Sequence, residues 1–257
     1  IRVSLVGSEM CIRDRIMTDT VNIICMKWGE KYDSSYVNKL FNMVSRNLNR
    51  NFRFICLTDD NSGFLSSIES FDLPKLNLPD GIPERGWTKL VTFSENLFDI
   101  QGQCLFLDLD LIIVNRIDEL FELEGDFFII KDFIRKDSTG NSSVYRFEMG
   151  KFFDVLEYFQ QNFTKIQSKY RNEQEYLSDY MKNNHSLNYW PIEWCQSFKK
   201  NCVQKGFKQF FYPPLLPQEA KIIIFHGKPN PPDALKGKSG KWYRKVLPTD
   251  WVADHWR

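Results

Sequence analysis

Asp108 and Asp110 stand two residues apart at the end of the apolar run Leu105-Phe106-Leu107. Alternation along an extended chain puts residues i and i+2 on one side, so both carboxylates can address the same hard cation. Oxygen donors of this kind suit Mg²⁺ or Mn²⁺, and two carboxylates beside an apolar strand are costly without a positive partner. The plain alternative is a solvated turn between strands, because a chain of this length carries about one Asp-x-Asp by chance. Position favours the cation, since ligand sites in open α/β sheets lie off the carboxyl ends of strands.

A second apolar run, Lys221 to Phe225, ends at His226 and is followed by Gly227-Lys228-Pro229. Imidazole beside carboxylates favours Mn²⁺ over Mg²⁺. Gly227 allows close approach of a phosphate to the backbone, and Lys228 offers a point charge for a diphosphate. A lone histidine after a strand is more often packed or on the surface. The acidic pair at another strand end is what makes His226 a candidate third ligand. Arg85 and Lys89 fall i and i+4 if a helix begins in Glu84-Arg85-Gly86-Trp87-Thr88-Lys89, and helix N-termini attract anions. A solvated basic face with Trp87 in the core explains the same residues.

The elements that must hold these groups follow from hydrophobic periodicity. Val21 to Met26 and Phe52 to Leu57 have the pattern of buried strands. Between them, Ser34 or Ser35 caps a helix running to about Asn47, with Val37, Leu40, Phe41 and Val44 on one face. This is βαβ spacing, the mark of a parallel sheet. A helical segment is expected over Trp87 to Phe98, with Leu90, Phe93, Leu97 and Phe98 as its stripe. Cys104 to Leu107, Leu111 to Val114, Phe127 to Ile130 and Val144 to Phe147 are further strands. A short helix is expected around Asp118 to Phe121, and longer ones over Lys151 to Gln160 and Asn172 to Met181. The fold class is α/β, with a mixed, mostly parallel central sheet flanked by helices in a single domain over 17–257.

Hydrophobic residues make up 42% of the 257 and charged residues 26%, the balance of a globular protein. A net charge of +1 gives no global field for nucleic acid. The six cysteines are scattered and three sit in apolar runs (Cys25, Cys56 and Cys104), which fits a reducing cytoplasm better than a disulfide framework. No apolar run reaches the roughly 18 residues of a membrane span. Within residues 1–16, the string VSLVGSEMCIRDR resembles a translated adaptor, so the native start is expected at Met17. At the other end, Lys236, Lys238, Lys241, Trp242, Tyr243 and Arg244, then Lys245, Trp251 and Trp256, form a basic aromatic tail. Such a mixture suits the surface of an anionic membrane; a solvated C-terminus is the alternative.

The order strand, F-L-D-L-D, further apolar strand and short acidic helix resembles the GT-A-type glycosyltransferases. Together with the late H-G-K-P it is similar to family 8, the retaining enzymes related to glycogenin and bacterial lipopolysaccharide galactosyltransferases. The resemblance implies that Asp108, Asp110 and His226 bind Mn²⁺ and that Lys228 contacts the diphosphate, although the family's H-x-x-G-x-x-K-P is contracted here. Asn141-Ser142-Ser143-Val144 resembles the family's N-[SA]-G-V near the donor sugar, with Ser143 in place of Gly. Asn172-Glu173-Gln174-Glu175-Tyr176-Leu177 is similar to its D-Q-x-x-L, which sets Glu173 and Gln174 against the transferred sugar. Those acids equally suit the first turn of a solvated helix. A basic residue near Arg85 or Lys89 reaches the nucleotide in related enzymes, and Tyr189, Trp190, Trp194 and Phe198 are candidates for an acceptor platform or for packing. The implied reaction is transfer of a hexose, from UDP-glucose or UDP-galactose, to a glycan or lipid-linked acceptor, with retention; the expected location is the cytoplasm, with the tail the candidate for peripheral contact at the inner face of a membrane. Two rivals remain. A nucleotidyltransferase would carry a Gly-rich phosphate loop near the first strand, where Val21 to Glu30 holds only Gly29. A non-catalytic carbohydrate-binding protein would keep the fold without turnover.

Overall fold

The computed structural model describes residues 20–78, 84–135, 137–240 and 245–257. The 1–16 extension, the Met17 start, the side chain of Arg85 and the tail residues Lys241, Trp242, Tyr243 and Arg244 lie outside the described part.

Strand β1 (Val21–Lys27) is buried along its whole length; it is apolar as a central parallel strand should be, except for Lys27 at its end and Asn22, whose Nδ2 donates to the carbonyls of Gln101 and Gln103 at 2.7 and 3.3 Å. It pairs in parallel with β2 (Phe52–Thr58) on one side and β4 (Gln103–Leu107) on the other. The short β3 (Glu69–Asp72) extends the edge beyond β2, also in parallel. Beyond β4 the direction reverses: β7 (Gly140–Glu148) runs antiparallel to β4 and to β6 (Phe128–Lys131), and β8 (Asn188–Tyr189) closes the far edge parallel to β6. The seven-stranded sheet has the order β3-β2-β1-β4-β7-β6-β8, the expected mixed sheet.

Alternation divides the core in two. Val21, Ile23 and Cys25 face one cluster with Phe54, Cys56 and Leu105, while Ile24 and Met26 face another with Ile55, Phe106 and Tyr145. Helix α1 (Ser34–Asn47) covers the first through Val37, Leu40, Met43 and Val44. Each buried aliphatic of this kind contributes about 1.5–3 kcal/mol. The second is covered by a 3₁₀ helix (Arg85–Phe93) and by α2 (Phe153–Gln161), α3 (Phe163–Lys169) and α4 (Glu173–Asn184). A small sheet of β5 (Leu111–Ile113), β10 (Ile222–Ile224) and β9 (Cys195–Ser197) joins the first cluster. Its antiparallel pairing of Leu111 with Ile224 carries the end of β10 to the end of β4.

Several local expectations change. The α1 cap is Asp33, whose Oδ1 accepts from Ser35 N–H at 3.0 Å, not Ser34 or Ser35. A carboxylate satisfies an orphan helix donor as well as a hydroxyl does. The segment expected as a helix from Trp87 to Phe98 is the 3₁₀ helix, which stops at Phe93. Gly86, Thr88, Val91 and Thr92 are weak helix formers. Phe98 lies outside the stripe at φ +54°, 47% exposed, and stacks on Phe71. The strand expected from Val144 begins instead at Gly140, so the Asn141-Ser142-Ser143 stretch is buried within β7. Buried Arg146, in the same strand, donates to the carbonyls of Leu120, Leu123 and Gly125 at 2.7, 2.8 and 2.5 Å. It thereby pins the turn that follows β5.

Candidate active site

Asp108 follows β4 directly, and its N–H donates to Ser143 C=O at 2.9 Å. Lys89 Nζ lies 2.7 Å from Asp108 Oδ1 and 2.9 Å from Oδ2, and donates to Ser142 C=O at 3.3 Å. Asp110 Oδ2 accepts from Tyr32 O–H at 2.8 Å. Burial, then the neighbouring Asp108 charge, pushes the Asp110 carboxyl up to about 6, against the pull of Tyr32 and two lysines. Burial works to lower the Lys89 ammonium, but Asp108 and then Glu173 outweigh it and hold it above its ordinary value. Burial first and Asp110 second raise the Tyr32 hydroxyl, so it stays a proton donor.

Glu173, first residue of α4, is buried, and its Oε1 accepts from Ser142 O–H at 2.8 Å. Ser142 thus touches both the lysine and the second carboxylate system. Gly86 comes close as well: a Cβ there would lie 3.2 Å from Glu173 Oε2. These groups border a cleft of about 270 Å³ that Asp108, Asp110, Lys89, Glu173, Trp28, Lys31 and Tyr32 line.

The end of β10 reaches Asp110 through its backbone, although His226, Gly227 and Lys228 do not line the cleft. Phe225 N–H donates to Asp110 C=O at 3.1 Å, which places His226 one residue away. The His226 ring packs edge-on against Phe133 at 4.9 Å, its Nε2 is buried with no hydrogen-bond partner among the described residues, and its carbonyl accepts from Lys199. Burial, then the Lys199 charge, lowers its pKa below the ordinary 6.5. The imidazole is therefore neutral at pH 7 and keeps a lone pair. Gly227 adopts φ +62° with open space where a Cβ would stand, and Lys228 is exposed beside it.

Among the described residues, no three His, Cys, Asp or Glu side chains form a group that could hold a metal ion. Asp108, Asp110 and His226 are therefore near neighbours in the fold but not a ready coordination sphere, and Lys89 engages both oxygens of Asp108. The donor set still fits a divalent cation in kind. Two carboxylates, one pushed up to about 6 by burial and then by its neighbour's charge, stand beside a buried imidazole nitrogen without a partner among the described residues.

The other sequence candidates distribute as follows. Asn141 is buried in β7, with Oδ1 accepting from Ser143 N–H at 3.1 Å. Gln174 is half-buried beside Glu173, and its carbonyl accepts from Ser178 O–H at 2.6 Å. Glu173 lines the cleft; Gln174 does not. Arg85 and Lys89 do not gain from i, i+4 spacing, because their segment is a 3₁₀ helix with three residues per turn. Trp190 is a core residue, stacked on Phe128 at 4.9 Å with Nε1–H donating to Val144 C=O at 3.3 Å, so it offers no platform. In the tail, Trp256 is buried against Tyr36, and Trp251 Nε1–H donates to Pro214 C=O at 3.0 Å. Neither indole is free for a membrane. Tyr32 went unnoticed in the sequence, and Ser142 was marked only as part of the Asn141-Ser142-Ser143-Val144 resemblance, with no role of its own. Tyr32 had one available signal, its place just past the carboxyl end of β1.

No family model and no curated protein sequence matches this chain. Solved structures do. Galactosyltransferase LgtC in complex with donor and acceptor sugar analogues aligns over 90% of this chain and 99% of its own, at 12% identity and TM-score 0.58. An active-site mutant of LgtC aligns at TM-score 0.56 over 90% and 98%, again at 12% identity. The apo bifunctional glycosyltransferase WbbM aligns at TM-score 0.57 and 12% identity over 84% of this chain and 47% of its own length. The likeness is one of fold: the chain has the mixed α/β, GT-A-type fold of these glycosyltransferases.

Proposed function

We propose that this chain is a glycosyltransferase whose cleft at Asp108-Leu109-Asp110 moves a hexose from a nucleotide-diphosphate sugar to a hydroxyl of a glycan or lipid-linked acceptor, with Mn²⁺ or Mg²⁺ bound. One observation carries the reading. Two carboxylates lie together at the carboxyl end of β4, one of them held up to about 6 by burial and its neighbour, inside a cleft that also holds Lys89 and Glu173. A carboxylate pair whose second member is disfavoured as an anion by burial and by its neighbour is suited to sharing a cation.

When bound, the cation would supply Lewis-acid stabilisation of the charge that develops on the leaving diphosphate. The chain's own groups do the rest. Lys89 remains charged in the cleft and balances the carboxylates whether or not they are shared. Tyr32 fixes the orientation of Asp110. Gly227 leaves room for a phosphate at the backbone, and exposed Lys228 adds a point charge for it. Ser142 orients Glu173 toward the cleft, where its free oxygen can accept from a sugar hydroxyl. Glu173 with Gln174 beside the anomeric carbon, Asn141 near the donor sugar, a basic residue at Arg85, retention of configuration, and UDP-glucose or UDP-galactose as donor belong to the same proposal through the family resemblance.

The test is nucleotide-sugar turnover across a donor panel, with MnCl₂ and then with EDTA. Release of nucleoside diphosphate in MnCl₂, lost in EDTA, is the expected result. Pyrophosphate consumed with a nucleotide sugar to give NTP and a sugar phosphate would mark a nucleotidyltransferase. Sugar binding without turnover would mark a carbohydrate-binding protein.

A further inference from the structure

From Phe198 to Gln218 the chain contains four lysines (Lys199, Lys200, Lys205 and Lys208) and no acidic residue. This segment is well anchored. Phe198 stacks on Phe225 at 4.4 Å, and Leu215 N–H donates to Cys202 C=O at 2.9 Å. Lys245 N–H donates to Gln209 Oε1 at 3.0 Å, and Trp251 holds the Pro214 carbonyl. A fixed loop of this kind would be expected to turn its rings inward, yet Phe207 is 85% exposed, Phe211 74%, Leu215 60%, Tyr212 59% and Phe210 51%. Scattered apolar side chains on a surface are ordinary; five within nine residues are a patch that marks an interaction site.

Composition selects the partner. Lys200, Lys205 and Lys208 line a hollow next to the aromatic run, so the patch is apolar at its tip and basic at its root. Aromatic rings settle at the headgroup level of a bilayer, and lysines close to an anionic leaflet are attracted to it. We infer that residues 205–215 form a foot that seats on an anionic lipid surface, with Phe207, Phe210, Phe211 and Tyr212 entering the interface and Lys205 and Lys208 meeting the headgroups. The foot adjoins the candidate site. Lys199 donates to the His226 carbonyl, and Lys200 also lines the hollow that contains Phe133, the ring packed on His226. A lipid-linked acceptor would thus be presented beside the cleft, a clause that rests on the proposed transferase activity; lipid seating itself does not.

Vesicle co-sedimentation of the full chain tests it, with phosphatidylcholine vesicles containing a quarter phosphatidylglycerol and with phosphatidylcholine alone. Binding to the first, weakening as salt is raised, is expected. Phe207→Ser with Phe211→Ser should cut partitioning by about tenfold or more, and Lys205→Gln with Lys208→Gln by about fivefold for each charge. Donor turnover should be unchanged in all four, since none lines the cleft. A single Phe207→Trp variant gives a second readout: its fluorescence should shift blue on the anionic vesicles and be quenched by brominated lipid. Absence of binding by the unmodified chain overturns the proposal, as does full retention of binding in the phenylalanine pair. A self-associating chain that the same pair renders monomeric, with no lipid binding, would assign the patch to a second copy instead.

Discussion

Two strand ends meet at Asp110, through its backbone bond to Phe225, and they are held very differently. At the end of β4, Asp108 has Lys89 and Asp110 has Tyr32. At the end of β10, His226 has a buried nitrogen with no partner among the described residues, followed by a left-handed Gly227 with none of them within reach of a Cβ. A buried polar atom left unpaired costs about 1–3 kcal/mol, whereas the acidic end has its charges largely compensated. The acidic end is therefore set by folding, and the histidine end is set for something that arrives. Each substitution below strikes one end and asks whether the other responds.

The largest effect is expected at Asp110. Asp110→Asn should lower donor turnover by about a thousandfold, the upper range for losing an electrostatic group used in the transition state; an unchanged rate would remove the acidic pair from the reaction. The same variant carries a stability signature of opposite sign. A carboxyl raised to about 6 when folded, against about 3.9 unfolded, binds its proton more tightly in the native state. Its contribution is fully present below pH 4 and is lost as pH rises through 6, by roughly 2–3 kcal/mol. In EDTA, thermal midpoints from pH 4 to 7 should fall more steeply for the unmodified chain than for Asp110→Asn. Equal slopes would mean that burial and the Asp108 charge do not hold the Asp110 carboxyl up.

Lys89→Met comes next. It leaves Asp108, Asp110 and Glu173 without their shared cation, and breaking a largely buried pair in this way costs about 3 kcal/mol. Denaturant unfolding in EDTA should show that loss, and Mn²⁺ should restore part of it. A variant as stable as the unmodified chain would show that the acidic end is solvated and never needed the lysine.

How much of this was readable beforehand depends on which physical rule governs each residue. β1, β2 and β4 were plain because strands buried on both faces carry near-continuous apolar runs, here Ile23 to Met26, Phe54 to Leu57 and Cys104 to Leu107, and the position of Asp108 and Asp110 followed from them. The edge strands β3 and β8 carry no such signal: Glu69–Asp72 is half-exposed, and Asn188–Tyr189 is only two residues long. Helix α3 was lost between α2 and α4 because a seven-residue helix leaves too few turns for a period. The 3₁₀ helix misled because its residues keep an apolar pattern while their propensities reject α geometry. Within the site, Lys89 was placed by its charge. Tyr32 was not, since its place past the end of β1 does not say which strand end its hydroxyl will reach; Ser142 was marked only through the Asn141-Ser142-Ser143-Val144 resemblance, not as the residue that joins Lys89 to Glu173. The register that brings Phe225 to Asp110 was equally invisible, being a tertiary pairing between residues far apart in the chain.

His226→Phe probes the other end. In EDTA it should be neutral or slightly stabilising, because an apolar ring replaces a buried nitrogen that has no partner. Calorimetric Mn²⁺ affinity should fall on the order of a hundredfold if that nitrogen is a ligand. A marked loss of stability without any change in affinity would make His226 a packing residue and dissolve the contrast between the two ends.

The smallest expected effect tests whether the acidic end is positioned or merely neutralised. Tyr32 touches no other described acid side chain by hydrogen bond, and its hydroxyl stabilises the charged form of Asp110. Removing it in Tyr32→Phe should push the Asp110 carboxyl above about 6. The variant should bind Mn²⁺ about tenfold more weakly near that pH, and the deficit should shrink at higher pH as Asp110 ionises in both proteins. A general loss of packing would instead weaken binding equally at every pH. The ring itself stays in place in Phe, against Tyr36 at 4.7 Å, and Tyr36 in turn meets Trp256 at 5.2 Å, so the hydroxyl is the only part removed. A pH-dependent deficit would therefore assign Tyr32 to orientation of one carboxylate, and a flat one would leave Lys89 alone responsible for the order at this strand end.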